Sequence, residues 1–222
     1  MDRAPLRTYG RIKTRTLKPR QAALVEGLLP SLGVPAGPFD PRTLAPGAAE
    51  VWLEIGFGGG EHLAAQAERR PDVLMIGVEP FLNGVASALR HVDERGLANV
   101  RIVQGDARDI VGRLPDASLD RLFILFPDPW PKTRHHKRRL MQPDFIAELA
   151  RAARPGARLR FVTDWRDYAA WTLERMATRS DWAWTAEGPA DWREPPADHV
   201  TTRYEQKALG DTAPIFLDFI RA

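Results

Sequence analysis

From Val51 onward the chain alternates short apolar runs with longer segments of helical period, and this alternation limits the fold more than any other feature. Val51–Ile55, Val73–Val78, Val100–Gln104, Leu119–Phe126 and Arg158–Thr163 read as strands. Glu61–Arg69, Leu82–Arg95, Pro143–Ala153 and Tyr168–Thr178 read as helices. Strands joined by helical crossovers require a largely parallel sheet covered by helices on both faces. Two later segments, around Trp182–Glu187 and Ile215–Ile220, are expected to close the sheet as an antiparallel pair, with residues 188–213 as a long polar connection between them. The expectation is an α/β fold over residues 50–222.

The preceding residues differ in character. Residues 1–20 are basic and lack apolar periodicity, and read as a flexible arm. Residues 21–49 read as a short helix, Gln21–Leu32, followed by a linker rich in proline and glycine. The chain of 222 residues holds no cysteine, which excludes disulfides, thiolate catalysis and zinc bound through sulfur. No apolar run approaches the ~20 residues a membrane span needs. A cytoplasmic protein is expected, with no membrane, no obligatory metal and no second subunit.

Net charge is +3, unevenly spread. Residues 1–20 carry +6 and residues 132–139 carry +5, which leaves −8 on the rest of the chain. A mildly acidic body with two concentrated basic segments fits a polyanion partner, although blocks of like charge are commonly just solvated.

Glu54-Ile55-Gly56-Phe57-Gly58-Gly59-Gly60 stands at the end of the first strand and opens a helix. Glycines there let the backbone turn sharply and approach a ligand closely. A dinucleotide fingerprint would place a third glycine where this chain has Glu61, an acid that opposes a pyrophosphate at a helix N-terminus. S-adenosylmethionine, which has no phosphates, suits the loop better. Glu79 follows the second strand, where an acid can accept from ribose hydroxyls, and Asp106 follows the third, where one can accept from the adenine amine. Each alone could be a helix cap or surface residue. Together, at three successive strand ends, they point to one ligand. A cluster of Glu54, Glu79, Asp106 and Asp128 also suits a cation at sulfur.

The fourth strand runs into Phe126-Pro127-Asp128-Pro129-Trp130-Pro131-Lys132, and a basic run to Arg139 follows at once. With Leu53-Glu54-Ile55-Gly56-Phe57-Gly58, Thr163-Asp164-Trp165 and Thr202-Arg203-Tyr204-Glu205, this block resembles the bacterial tRNA (guanine(46)-N7)-methyltransferases. The resemblance covers roughly residues 50–222; the proline-aspartate-proline-tryptophan block with its basic tail is highly specific, and the glycine loop is not. It implies a Rossmann-like class I methyltransferase fold that uses S-adenosylmethionine and acts on tRNA, at N7 of guanine 46 in the variable loop. By position, it implies cofactor contacts from Glu54, Gly56, Gly58, Glu79, Asp106, Ala107 and Asp128, with Asp128 catalytic. It implies substrate contacts from Lys132, Asp164, Thr202, Arg203, Tyr204 and Glu205. The basic run adds Arg134, Arg138 and Arg139 as expected phosphate contacts.

Guanine N7 has an in-plane lone pair and no proton to lose, so no general base is required, and alignment and electrostatics should carry the reaction. Either Asp128 or Asp164 could accept from the guanine N1–H and N2 amine, which become better donors as N7 is alkylated. Asp164 could instead cap the helix that begins near Trp165. Trp130 could stack on a base or simply pack between its prolines. Three rival classes are a nicotinamide oxidoreductase, a non-catalytic RNA-binding protein and a small-molecule methyltransferase. Glu61, the run of strand-end acids and the basic block argue against them in turn.

Overall fold

The computed structural model describes residues 16–222. Residues 1–15, which hold most of the expected basic arm, lie outside the described residues. The chain divides into two compact units, one ending at Pro115 and one spanning Asp116–Ala222.

The first unit is built on three parallel strands in the order β3-β2-β1. β1 is Glu50–Ile55, β2 is Val73–Glu79 and β3 is Val100–Gln104. β2 lies in the middle, paired to β1 with Glu54 opposite Gly77 and to β3 with Glu79 opposite Gln104. All seven β2 residues are buried, which is why its sequence is an unbroken apolar run before Glu79. Four helices follow the chain: α1 (Pro19–Gly27), α2 (Leu29–Leu32), α3 (Glu61–Arg69) and α4 (Leu82–Arg95). A fifth, α5 (Ala107–Arg113), comes after β3. The helix expected over Gln21–Leu32 is therefore two, with Pro30 in the first turn of α2.

The expected linker is docked to this unit. Arg113 Nε donates to the Gly37 carbonyl at 2.8 Å, Nη2 donates to the Pro35 carbonyl, and the guanidinium lies 5.4 Å from the Phe39 ring. Arg101 Nη2 donates to the Leu44 carbonyl at 2.7 Å. A segment without regular structure is thus held by side-chain donors that satisfy its carbonyls.

The second unit has four strands in the order β4-β5-β7-β6. β4 is Leu119–Leu125, β5 is Ala153–Thr163, β6 is Trp182–Trp184 and β7 is Ile215–Arg221. β4 and β5 are parallel; β7 runs antiparallel to both β5 and β6. β5 starts five residues before the expected Arg158, passing through Pro155 and Gly156 with a register shift opposite Leu119 and Arg121. Three helices complete the unit: α6 (Pro143–Ala152), α7 (Arg166–Ala177) and the short α8 (Ala190–Arg193). Phe123, Phe161, Tyr168 and Phe219 are fully buried at its centre.

The 188–213 connection is anchored by charge. Asp198 accepts from Arg121 Nη2 and Arg160 Nη1, each at 2.6 Å, while Arg160 also makes a two-pronged pair with Asp218 of β7 at 2.8 Å. Burial alone would raise the Asp198 carboxyl, but the two guanidiniums bring it down to about 2. No helix among the described residues is long and apolar enough to cross a membrane.

Candidate active site

In the first unit, the expected cofactor residues gather at the C-terminal ends of β1, β2 and β3. Gly56 and Gly58 have φ of +72° and +54°, in the left-handed region, and a Cβ added to either would meet nothing within 4 Å. The loop is held from its other side, since a Cβ on Gly84 of α4 would lie 2.4 Å from the Gly58 carbonyl oxygen. Glu79 ties the same loop: Oε2 accepts from the Gly58 N–H and Oε1 from the Phe81 N–H, both at 2.9 Å.

Glu54 is 2% exposed, and its Oε2 lies 2.7 Å from His62 Nδ1 on α3. Asp106 caps α5, accepting from the Arg108 N–H at 2.9 Å and from its guanidinium at 3.0 and 2.6 Å. Burial works to raise the Asp106 carboxyl, but Arg108 holds it below the usual range. Ala107 is the buried first residue of α5. The unit therefore offers an open glycine cradle ringed by three carboxylates. That donor set fits S-adenosylmethionine: acceptors for hydroxyl and amine groups, and negative charge for a sulfonium.

The second unit carries the other expected residues. Asp128 stands between Phe126 and Trp130, whose φ of +50° and +44° put two non-glycine residues in the left-handed region, a cost of about 1–3 kcal/mol each. Such backbone persists where the surroundings enforce it, and here it brackets the candidate catalytic acid. Asp128 is exposed and makes no hydrogen bond or ion pair among the described residues, yet the protein around it displaces enough water to raise its carboxyl.

Asp164, at the end of β5, is 4% exposed, and its Oδ1 has no hydrogen-bond partner among the described residues. Burial raises its carboxyl against the backbone donors of Asp164 and Gly210, and the charges of Asp211 and Glu205 add to the rise. It does not cap α7: the N–H of Arg166 goes to Asp211 Oδ1 at 2.9 Å. Tyr204 packs beside the Asp128 loop, with its ring 5.4 Å from that of Phe126. Burial, then the charges of Asp164 and Asp128, raise its hydroxyl.

The basic run divides. Lys132, Arg134 and Lys137 are exposed on and beside the 3-10 turn Thr133–Arg138 and make no ion pair among the described residues. Arg138 lies 5.0 Å from the Trp130 ring, and His135 meets the same ring edge-on at 5.8 Å, so Trp130 is a packed side chain. Burial, then the nearby cations Arg138, Arg134, Lys132 and Lys137, lower His135.

Arg139 departs from expectation. Its side chain is 1% exposed, donating from Nε to the Pro129 carbonyl at 2.8 Å and from Nη2 to Asp167. The guanidinium also lies 4.9 Å from both the Tyr168 and the Trp171 rings of α7. A cation enclosed in this way cannot reach a phosphate; it pins the Asp128 loop to the helix that follows Asp164.

Thr202 and Glu205 also have internal partners. Thr202 Oγ1 accepts from the Glu205 N–H at 3.2 Å, and the Glu205 carboxylate lies 2.9 Å from His199 Nε2. Arg203 is exposed beside them. Sequence reasoning missed His199, His62 and Gln66. The only available signal was the helical spacing of the last two, directly after the glycine turn.

Comparison with known proteins bears on the family and the fold. The Methyltransf_4 family model, a methyltransferase family, matches residues 48–217. A tRNA (guanine-N(7)-)-methyltransferase of Caulobacter sp. (strain K31) is 66% identical over 98% of this chain and 96% of its own. One from Hyphomonas neptunium is 50% identical over 96% and 99%. Among solved structures, a 16S rRNA (adenine(1408)-N(1))-methyltransferase of Catenulisporales acidiphilia with cosubstrate SAM superposes with a TM-score of 0.57 at 17% identity, over 86% of this chain and 95% of that one. The 16S rRNA methyltransferase KamB gives 0.55 at 18%, over 82% and 92%. The fold is thus the Rossmann-like class I methyltransferase fold, and the chain belongs to the family of tRNA (guanine-N(7)-)-methyltransferases.

Proposed function

We propose that the protein methylates N7 of a guanine in tRNA, at position 46 of the variable loop, and that it does so in the cytoplasm. The observation that carries this reading is a pair of acids in one unit with acceptor oxygens left without partners. Among the described residues Asp128 has no partner and Asp164 has an orphaned oxygen, and both carboxyls are raised. Acids without cations cost stability, and their persistence fits a substrate edge of N–H donors.

Glu54, Glu79, Asp106 and the Gly56–Gly58 cradle hold the cofactor. Bound S-adenosylmethionine supplies a methyl group activated on a positively charged sulfur. Asp128 and Asp164 accept from the N1–H and N2 amine of guanine and orient its N7. As positive charge spreads into the alkylated ring these hydrogen bonds strengthen, so they favour the transition state over the ground state. Tyr204 presents a ring and a hydroxyl to the same base. Lys132, Arg134 and Lys137, with Arg138 and Arg203 beside them, take phosphates, which supplies affinity without sequence choice.

Borohydride reduction and aniline cleavage, which cut tRNA at 7-methylguanosine, test the reading. A transcript treated with protein and S-adenosylmethionine should be cut at position 46. A cut at another guanine would overturn the position, and no cut the N7 assignment.

A further inference from the structure

Beside the glycine loop lies a buried polar chain of which the proposed function uses only Glu54. Glu54, His62 and Gln66 are each 2% exposed. His62 Nδ1 lies 2.7 Å from Glu54 Oε2, and Gln66 Nε2 lies 3.1 Å from His62 Nε2. Directions follow from the chemistry. A carboxylate only accepts, so His62 donates from Nδ1 to Glu54, and Gln66 holds the other ring nitrogen. Gln66 therefore helps to fix the ring orientation in which His62 donates to Glu54. His62 and Gln66 stand one helical turn apart on α3, which begins at Glu61 directly after the glycine loop. Glu54 Oε1 makes no hydrogen bond among the described residues.

We infer that His62 is a positioning residue for cofactor binding: by holding Glu54 Oε2 inside the unit it leaves Oε1 to face the cationic cofactor. The inference rests on the proposed role of Glu54 in holding S-adenosylmethionine. Without the imidazole, the buried carboxylate would lose its donor and turn to whatever donor it could find.

The test is calorimetric binding of S-adenosylmethionine to the full chain without tRNA. His62→Leu should weaken binding by about tenfold or more, the scale of a hydrogen bond to a charged group. His62→Asn, whose amide nitrogen overlays Nδ1, should restore most of it. The double variant Glu54→Gln with His62→Leu should bind no worse than Glu54→Gln alone, because His62 acts through Glu54. Normal binding by His62→Leu, or losses that multiply in the double variant, would overturn the inference.

A wild-type protein that binds no S-adenosylmethionine would be a failure of the proposed function instead. Nitrogen-15 spectra of the ligand-free protein then judge the relay separately. A proton on His62 Nδ1 supports it, and an Nδ1 without a proton refutes it.

Discussion

At Asp128 the proposed function sets itself against stability in a single side chain. A carboxyl raised in the folded protein binds its proton more tightly folded than unfolded. The stability it contributes is therefore present at low pH and lost as pH rises through its unfolded and then its folded value, so at neutral pH the ionised group is a net cost. Asp128→Asn should leave the melting temperature unchanged or higher; a clear fall would show that the carboxylate has a stabilising partner. Arg139 should behave oppositely. Arg139→Met removes the tie to Pro129 and should cost about 2–3 kcal/mol by urea titration, with slower methylation but an unchanged salt slope of tRNA binding. A shallower slope would return Arg139 to the phosphate contacts. Sequence could not separate Arg139 from its neighbours, because the groups that enclose it, Asp167, Tyr168 and Trp171, lie some thirty residues further on. The acids were legible because each follows a strand; the unpartnered state of Asp128 and of Asp164 Oδ1 was not, since orphaned oxygens depend on tertiary contacts.

At the scale of elements, α4 braces the glycine loop of the first unit, and a charged clamp braces the 188–213 connection of the second. The N-terminal turn of α4 meets the glycine loop at Gly84, so Gly84→Ala must move the loop or the helix. The expected result is about 1–3 kcal/mol of lost stability with weaker S-adenosylmethionine binding, and normal binding would show that the loop tolerates the shift. The connection is clamped by Asp198 between Arg121 and Arg160. Its carboxyl is lowered to about 2, so the clamp is fully formed above the unfolded value of 3.8 and is lost as pH falls toward 2. Asp198→Asn should speed proteolysis within residues 196–213 and slow tRNA methylation at neutral pH; a digestion rate equal to wild type would mean that other contacts hold the connection. β1, β2, β3, α3 and α4 were legible almost to their ends, because buried parallel strands and amphipathic helices leave strong periodic signals. The start of β5 was not, since Pro155 and Gly156 look like a break and are instead absorbed at an irregular strand end. α5 is only seven residues long, too short for a clear period, and its cap, Asp106, reads in sequence as a ligand contact.

For the whole molecule, the sequence divides charge between an acidic body and two basic segments, and the structure refines that division. Of the five cations in residues 132–139, Arg139 is buried, while Lys132, Arg134 and Lys137 remain exposed and without an ion pair among the described residues. Replacing those three by glutamine should weaken tRNA binding and lower its salt slope by roughly 2–3, about 0.7–0.9 for each phosphate no longer neutralised. An unaltered slope would place the tRNA on another surface. The central claim is that Asp128 and Asp164 of the second unit align guanine N7 for methylation. It is tested most directly by incubating unmodified tRNA transcript with methyl-labelled S-adenosylmethionine and either wild-type protein or Asp128→Asn, then separating the nucleosides. The expected result is label in 7-methylguanosine alone for wild type, and about a hundredfold or greater loss of rate for the variant at equal tRNA occupancy. Label in any other nucleoside, or a variant that keeps pace with wild type, would contradict the account.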